Sequence, residues 1–356
     1  MYIKNIKLNN FRNYDDESII LQSGINVFYG DNAQGKTNIL ESIYISSMGK
    51  SFRTKKDKEL IKLGKDNSII EVEYEKIDRE GKLKIDISDK KNIFLNGVKL
   101  KKLSEILGKI NIVMFSPDDI NILKTGPSAR RKFLDIMISQ LRPAYVYNLN
   151  LFLKTLEQRN SYLRQIKYEN KSKDMLYIWN EKLAFHAEKV FEFRKEYIEK
   201  IKNNINNIHS KITNENEFIK IKYISDCKSK EEYLLELEKN ENLDIQKGYT
   251  CKGIHRDDFL VFINDKQVNI YGSQGQHRTV ILSLKFCELE IVHDEIGEYP
   301  ILLLDDFMSE LDKKRRNNFL ENIEGAQVLI TCTDKLELNN VQEFNVVNGK
   351  LKKEDM

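Results

Sequence analysis

Apolar and polar positions alternate at the start of the chain, where Ile3, Ile6 and Leu8 stand among polar neighbours and predict a strand at a sheet edge. The run Gly24-Ile25-Asn26-Val27-Phe28-Tyr29 predicts a short buried strand leading into Gly30. From Asn38 to Met48 the spacing changes to three and four residues. Ile39, Leu40, Ile43 and Tyr44 then share one helical face. Alternation returns at Ile70 to Tyr74 and at Lys84 to Ile87, and Ile93 to Val98 contains Asn96-Gly97, a hairpin turn signal. Ile112 to Phe115 is a further apolar strand, stopped by Ser116-Pro117.

The middle of the chain has a different texture. Between about Pro127 and Lys239 glycine is nearly absent. Leu183, Ala187, Val190, Tyr197, Ile201, Ile205, Ile208 and Ile212 recur at helical spacing with charge on the other faces, which predicts one long amphipathic helix. Asn148 to Leu163 predicts a second helix paired with it. Mixed structure resumes at Gly248. Phe259, Val261 and Ile263 alternate as a strand, and Thr279 to Val292 reads as a helix. The unbroken runs Ile301 to Leu304 and Val328 to Ile330 predict strands buried on both faces, as in a parallel sheet. The reading is an α/β head built from both termini, residues 1–115 and 248–356, with a mainly α-helical lobe, residues 116–247, inserted between them.

Composition adds little to this picture. A net charge of +3 does not by itself call for a nucleic-acid partner, so clustering carries more weight. Lys50, Arg53, Lys55, Lys56 and Lys58 crowd one stretch, and Arg130, Arg131 and Lys132 another; each could equally be a solvated face. Cys227, Cys251, Cys287 and Cys332 form no CxxC pair and read as reduced, mostly buried thiols. The alternating opening is unlike a signal peptide, and no apolar segment is long enough to span a bilayer, so a cytoplasmic protein is expected.

The chemistry is concentrated in one motif. Gly30-Asp31-Asn32-Ala33-Gln34-Gly35-Lys36-Thr37 matches G-x-x-x-x-G-K-[ST] at every fixed position, between an apolar strand and an amphipathic helix. Glycines let the backbone turn its N–H groups toward phosphate oxygens. Lys36 supplies charge for the β- and γ-phosphates of ATP, and Thr37 a hydroxyl for Mg²⁺. Far along the chain, Leu302-Leu303-Leu304 ends in Asp305 and Asp306. The first acid suits a Mg²⁺-linked water; the second could orient or deprotonate the attacking water. Ser273-Gln274-Gly275-Gln276 precedes a helix, which suits either an anion site or a routine N-cap. Its place some thirty residues before the acidic strand resembles the signature loop of ABC-type ATPases. That likeness implies that Ser273 reaches the γ-phosphate held by a second copy, so that ATP joins a dimer.

Several stretches together resemble the RecF family of bacterial recombination and replication-repair proteins, an ABC/SMC-like ATPase family. They are Leu8 to Tyr14, the phosphate loop, Gly49 to Thr54, Gly126 to Asp135, Gly253 to Asp258, the Ser273 loop and Leu303 to Asp312. The chain departs from the family at Thr125, Ile254 and Phe307-Met308, positions that bear on loop shape and packing. The resemblance implies that Lys36 and Thr37 hold nucleotide and metal, that Asp305 and Asp306 complete the Mg²⁺ and water site, and that Ser309 to Asp312 face the dimer partner. It also implies binding to single- and double-stranded DNA at gaps, and help in loading RecA with RecO and RecR. Arg53, Lys55 and Lys56 are the candidate DNA contacts. Thr331-Cys332-Thr333-Asp334 lies where ABC cassettes often carry a switch histidine, and the second acid is Asp where they usually have Glu. Slow hydrolysis is therefore expected. The ATPase subunit of a membrane transporter shares the loop order, and a nucleotide kinase the phosphate loop. The absent switch histidine and the Phe11 to Tyr14 opening stand against the first, and the Ser273 loop against the second.

Overall fold

The computed structural model describes residues 1–213, 217–307, 323, 325–336 and 340–353. The chain opens with strands β1 (Tyr2–Phe11), β2 (Tyr14–Ile20) and β3 (Ile25–Tyr29), then helix α1 (Lys36–Met48). Strands β4 (Ser68–Glu75), β5 (Glu80–Ile87), β6 (Lys91–Leu95), β7 (Val98–Lys99) and β8 (Ile112–Phe115) follow. A mainly helical stretch comes next: α2 (Asn121–Lys124), α3 (Pro127–Leu141), α4 (Pro143–Glu169) and α5 (Leu176–Thr213). It continues through β9 (Ile219–Ile224), α6 (Lys230–Lys239), α7 (Glu241–Lys247), β10 (Asp258–Ile263), β11 (Lys266–Gln267) and α8 (Val268–Tyr271). Helix α9 (Gln274–Ile296) leads to β12 (Ile301–Asp305), β13 (Val328–Cys332), β14 (Val341–Val347) and β15 (Lys350–Lys353).

Packing divides the chain into two units, Met1–Asp119 with Glu288–Met356, and Ile120–Cys287. The first unit has two six-stranded sheets. One runs β2-β1-β4-β5-β6-β7, each neighbour antiparallel. Its strands alternate as the sequence does: Ile3, Ile6, Leu8, Ile70, Val72, Leu83 and Ile85 are all fully buried. Asn96 and Gly97 both take positive φ, as a two-residue hairpin turn between β6 and β7 requires. The other sheet runs β15-β14-β3-β13-β12-β8. Its inner strands are parallel, and β12 and β13 are buried at every residue. That explains their unbroken apolar runs, and it brings the ends of β3, β12 and β13 to the same edge of the sheet.

The second unit is built on the antiparallel pair α4 and α5. Tyr145, Asn148 and Arg159 of α4 bond Arg194, His186 and Asn180 of α5 in reverse order. Residues 248–287, expected with the head, belong here instead. Strand β10 pairs antiparallel with β9, and the Asp258 carboxylate receives two bonds from Arg130 of α3, at 2.5 and 3.0 Å. Arg194 binds these elements together, donating to Tyr145, Asp135, Asp257 and the Ile254 carbonyl. The basic run at residues 130–132 is thus no simple surface patch. Arg130 is buried in its ion pair, and Arg131 donates to the Asp257 carbonyl. None of the four cysteines is in a disulfide, and Cys227, Cys287 and Cys332 are buried. Among the described residues no helix is long and apolar enough to cross a membrane.

Candidate nucleotide site

The glycine loop connects β3 to α1 and needs glycine at both corners. Gly30 has φ +145°, and a Cβ there would lie 2.5 Å from the Val346 carbonyl oxygen. Gly35 has φ +113°, and a Cβ there would meet the Asn13 side chain at 2.4 Å. Between them, Ala33 also takes positive φ, at 66°. Lys36 is buried, and its Nζ donates to the carbonyls of Gly30 at 2.5 Å and Asp31 at 2.9 Å. The ammonium therefore lies folded over its own loop, with carbonyl oxygens in the role a phosphate oxygen would take. Helix α1 starts without a side-chain cap and without acid in its first turn, which leaves its positive end free for an anion.

Two distant hairpins brace the loop. Asn13, in the turn after β1, donates from Nδ2 to the Gln34 carbonyl at 2.7 Å and accepts from Asn38 Nδ2 at 2.8 Å. Tyr14 donates to the Gly35 carbonyl at 3.1 Å. From the other end of the chain, Gly349 N–H donates to the Gln34 carbonyl at 3.1 Å, and Asn348 N–H to the Gln34 side chain at 2.7 Å. These braces leave no mark in the sequence pattern. Asn13 belongs to the opening stretch Leu8 to Tyr14, but no local spacing connects it to Gln34.

The acidic strand end comes to the same place. Asp305 is buried, and its Oδ1 accepts from Thr37 Oγ1 at 2.8 Å and from Thr331 Oγ1 at 2.9 Å. The Asp306 N–H donates to Thr331 Oγ1 at 2.9 Å, so one hydroxyl on β13 aligns both acids. Asp306 takes φ +47°. Burial raises its carboxyl above the ordinary range; the Asp305 charge adds to this and Lys36 opposes it. Thr331 is thus a site residue that the sequence marked only as a place without histidine. A hydroxyl and a carboxylate are the hard oxygen donors that Mg²⁺ takes. No group of three His, Cys, Asp or Glu side chains placed to hold an ion stands together among the described residues, so an ion here would depend on nucleotide oxygens as well.

The remaining expected residues are more scattered. Arg53 donates to Asn38 Oδ1 at 2.7 Å and lies 3.6 Å from Glu41 on α1. The fully buried Glu41 also holds Arg12 through two bonds, at 2.7 and 2.9 Å. Arg53 is therefore tethered beside the phosphate loop. Lys55 is exposed, and Lys56 projects outward 3.6 Å from Glu59. In the second unit Ser273 is exposed at the start of α9. Its Oγ accepts from Gln276 N–H at 3.1 Å while Gln276 Oε1 accepts from Ser273 N–H at 3.0 Å, a reciprocal capping box. Ser309 to Asp312 lie outside the described residues.

The parallel sheet, the glycine-cornered loop and the acid pair on a neighbouring strand define an ABC/SMC-type ATPase head. The RecF/RecN/SMC N terminal domain family matches residues 2–354. A DNA replication and repair protein RecF of Clostridium botulinum (strain ATCC 19397 / Type A) is 45% identical over 365 residues, covering 99% of this chain and 100% of the relative. One from Clostridium tetani is also 45% identical, covering 98% of this chain and 99% of the relative. The chain belongs to the RecF family of DNA replication and repair proteins. Among solved structures, the recombination mediator protein RecF with ATP, from the RecFOR pathway, superposes with a TM-score of 0.94 at 40% identity, covering 99% of this chain and 98% of that one. The Smc head domain of Pyrococcus furiosus shares the fold, with a TM-score of 0.57 at 17% identity.

Proposed function

We propose that this chain is an ATP-dependent, DNA-binding mediator of recombinational repair that dimerises around ATP. The observation that carries this reading is the convergence of Thr37 and Asp305 at 2.8 Å beside the buried Lys36, on a loop braced from both ends of the chain. Support also comes from relatives named for DNA replication and repair and from the solved RecF structure with ATP.

In this reading the nucleotide displaces the Gly30 and Asp31 carbonyls from Lys36, whose ammonium then balances phosphate charge. Gly30 to Thr37 cradle the phosphates. Thr37 and Asp305 would hold Mg²⁺, which would supply positive charge to the phosphate oxygens. Thr331 keeps Asp305 facing Thr37 and fixes the backbone of Asp306, which accepts a proton from the attacking water. Ser273 from a second copy completes the site, and DNA lies against Arg53, Lys55 and Lys56. Turnover is slow, stimulated by DNA, and resets the dimer. The partners are single- and double-stranded DNA at gaps, RecO and RecR, and through them RecA.

Sedimentation of wild type, Lys36→Ala and Asp306→Asn, with and without ATP and gapped DNA, tests the reading. Wild type should dimerise with ATP, Lys36→Ala should stay monomeric, and Asp306→Asn should accumulate as an ATP-bound dimer on DNA. ATP binding with no change in mass for any of the three would reduce the protein to a monomeric ATP binder.

A further inference from the structure

Away from the nucleotide site, the second unit has a strand with an open edge. Strand β9 ends the sheet β11-β10-β9. Lys220, Lys222 and Ile224 stand opposite Phe262, Leu260 and Asp258 of β10. One step earlier, Phe218 exchanges bonds with Asn264, donating to its side chain and accepting from its backbone N–H. The parity of an antiparallel ladder then turns the N–H and C=O of Ile219, Ile221 and Tyr223 away from β10. At Ile219 a side chain takes the place of a neighbouring strand. Asn206 of α5 accepts from its N–H at 2.7 Å and donates to its carbonyl at 3.0 Å. Among the described residues no group does the same at Ile221 or Tyr223.

A groove of about 720 Å³ runs along this edge, lined by β9 from Lys220 onward and by α5 at Phe191, Lys195, Glu199 and Lys202. Those four helix positions, three or four apart, form one stripe. The Phe191 and Tyr223 rings stack at 5.8 Å, and both line the groove. Five lysines line it against two carboxylates. Lys202 pairs with Glu199, and Lys220 lies 3.5 Å from Asp265, whereas Lys195, Lys222 and Lys228 are exposed and pair with no carboxylate among the described residues. An open edge is normally a hazard, and lysines on it repel most strands. An acidic strand is the one such an edge accepts.

We propose that this groove binds an extended acidic peptide from a partner protein, which adds to β9 as a fourth strand. The peptide backbone bonds Ile221 and Tyr223, continuing the ladder that Asn206 begins. Its side chains alternate, one set toward Lys195 and Lys202 on α5, the other toward Lys222 on the opposite face of the sheet. Carboxylates therefore meet lysines on both faces. This inference stands apart from the nucleotide reading, because it needs neither ATP nor a dimer.

The test uses the full-length protein and a fluorescein-labelled pool of peptides of about eight residues, long enough to span β9, with Asp or Glu at both odd and even positions so that each face of the strand carries carboxylates. Anisotropy should report saturable binding that weakens at least roughly tenfold in the variant K195E/K222E/K228E. An unchanged urea-unfolding transition of the second unit shows that the variant is folded. Bound peptide should slow hydrogen exchange at the Ile221 and Tyr223 amides. Peptides N-methylated at alternate amides should lose binding in one parity and keep it in the other. Equal binding in both parities would overturn strand addition, as would a pool that fails to bind or binds the charge-reversed variant equally. An oligothymidylate that binds with the same lysine dependence while the peptides do not would overturn the choice of partner.

Discussion

Gly35 and Asn13 are fitted to one another, since the space a Cβ would fill at Gly35 is taken by the amide that holds Gln34 and Asn38. Gly35→Ala should abolish ATP binding in an equilibrium titration, because both its φ of +113° and the contact forbid the side chain. Asn13→Ala should leave the loop formed but loosely held. Losing its hydrogen bonds costs about 1–2 kcal/mol, so ATP affinity should fall by up to roughly tenfold and the melting temperature of the first unit by a few degrees. The same comparison shows what the sequence could reveal. Lys36, Thr37 and the acid pair could be picked out as candidates because phosphate-loop chemistry calls for fixed spacings and for acids at a strand end. Asn13 and Thr331 act across separations of 21 and 26 residues, on Gln34 and Asp305, and no spacing rule encodes such meetings.

At the scale of elements, α4 and α5 were legible because burial on one helical face imposes its period on the sequence. The membership of residues 248–287 was not, since β10 finds its partner β9 through a ladder that leaves no local mark on either strand. The ion pair between Arg130 of α3 and Asp258 of β10 helps fasten this region and is largely shielded from water. Asp258→Ala should strand a buried guanidinium and destabilise the second unit by about 3–5 kcal/mol in urea unfolding, and Arg130→Met in the same chain should recover part of the loss. His255 makes a pH-dependent contribution. Burial pushes its imidazole down to about 4, and its Nε2 bonds the Thr250 carbonyl. Below about pH 6.5 the unfolded chain takes up a proton that the folded one refuses, so stability falls as pH drops from about 6.5 to about 4. Wild type should therefore lose up to a few kcal/mol across that window relative to His255→Asn, measured by urea unfolding at each pH.

For the whole molecule, nucleotide binding and folding of the first unit are linked, because the loop is assembled from both ends of the chain. At a hundredfold excess over its dissociation constant, ATP with Mg²⁺ should stabilise the first unit by about 2.7 kcal/mol. Chelation by EDTA should remove most of that gain, and Lys36→Ala should show none, both read by calorimetry. The placement of β14 and β15 has a consequence during synthesis. Strand β14 flanks β3, and Asn348 and Gly349 bond Gln34, some three hundred residues upstream. A ribosome that has made everything up to β13 carries a phosphate loop whose outer wall does not yet exist. Nascent chains stalled before residue 341 should therefore ignore ATP, and competence should arrive only when the β14–β15 hairpin clears the exit tunnel.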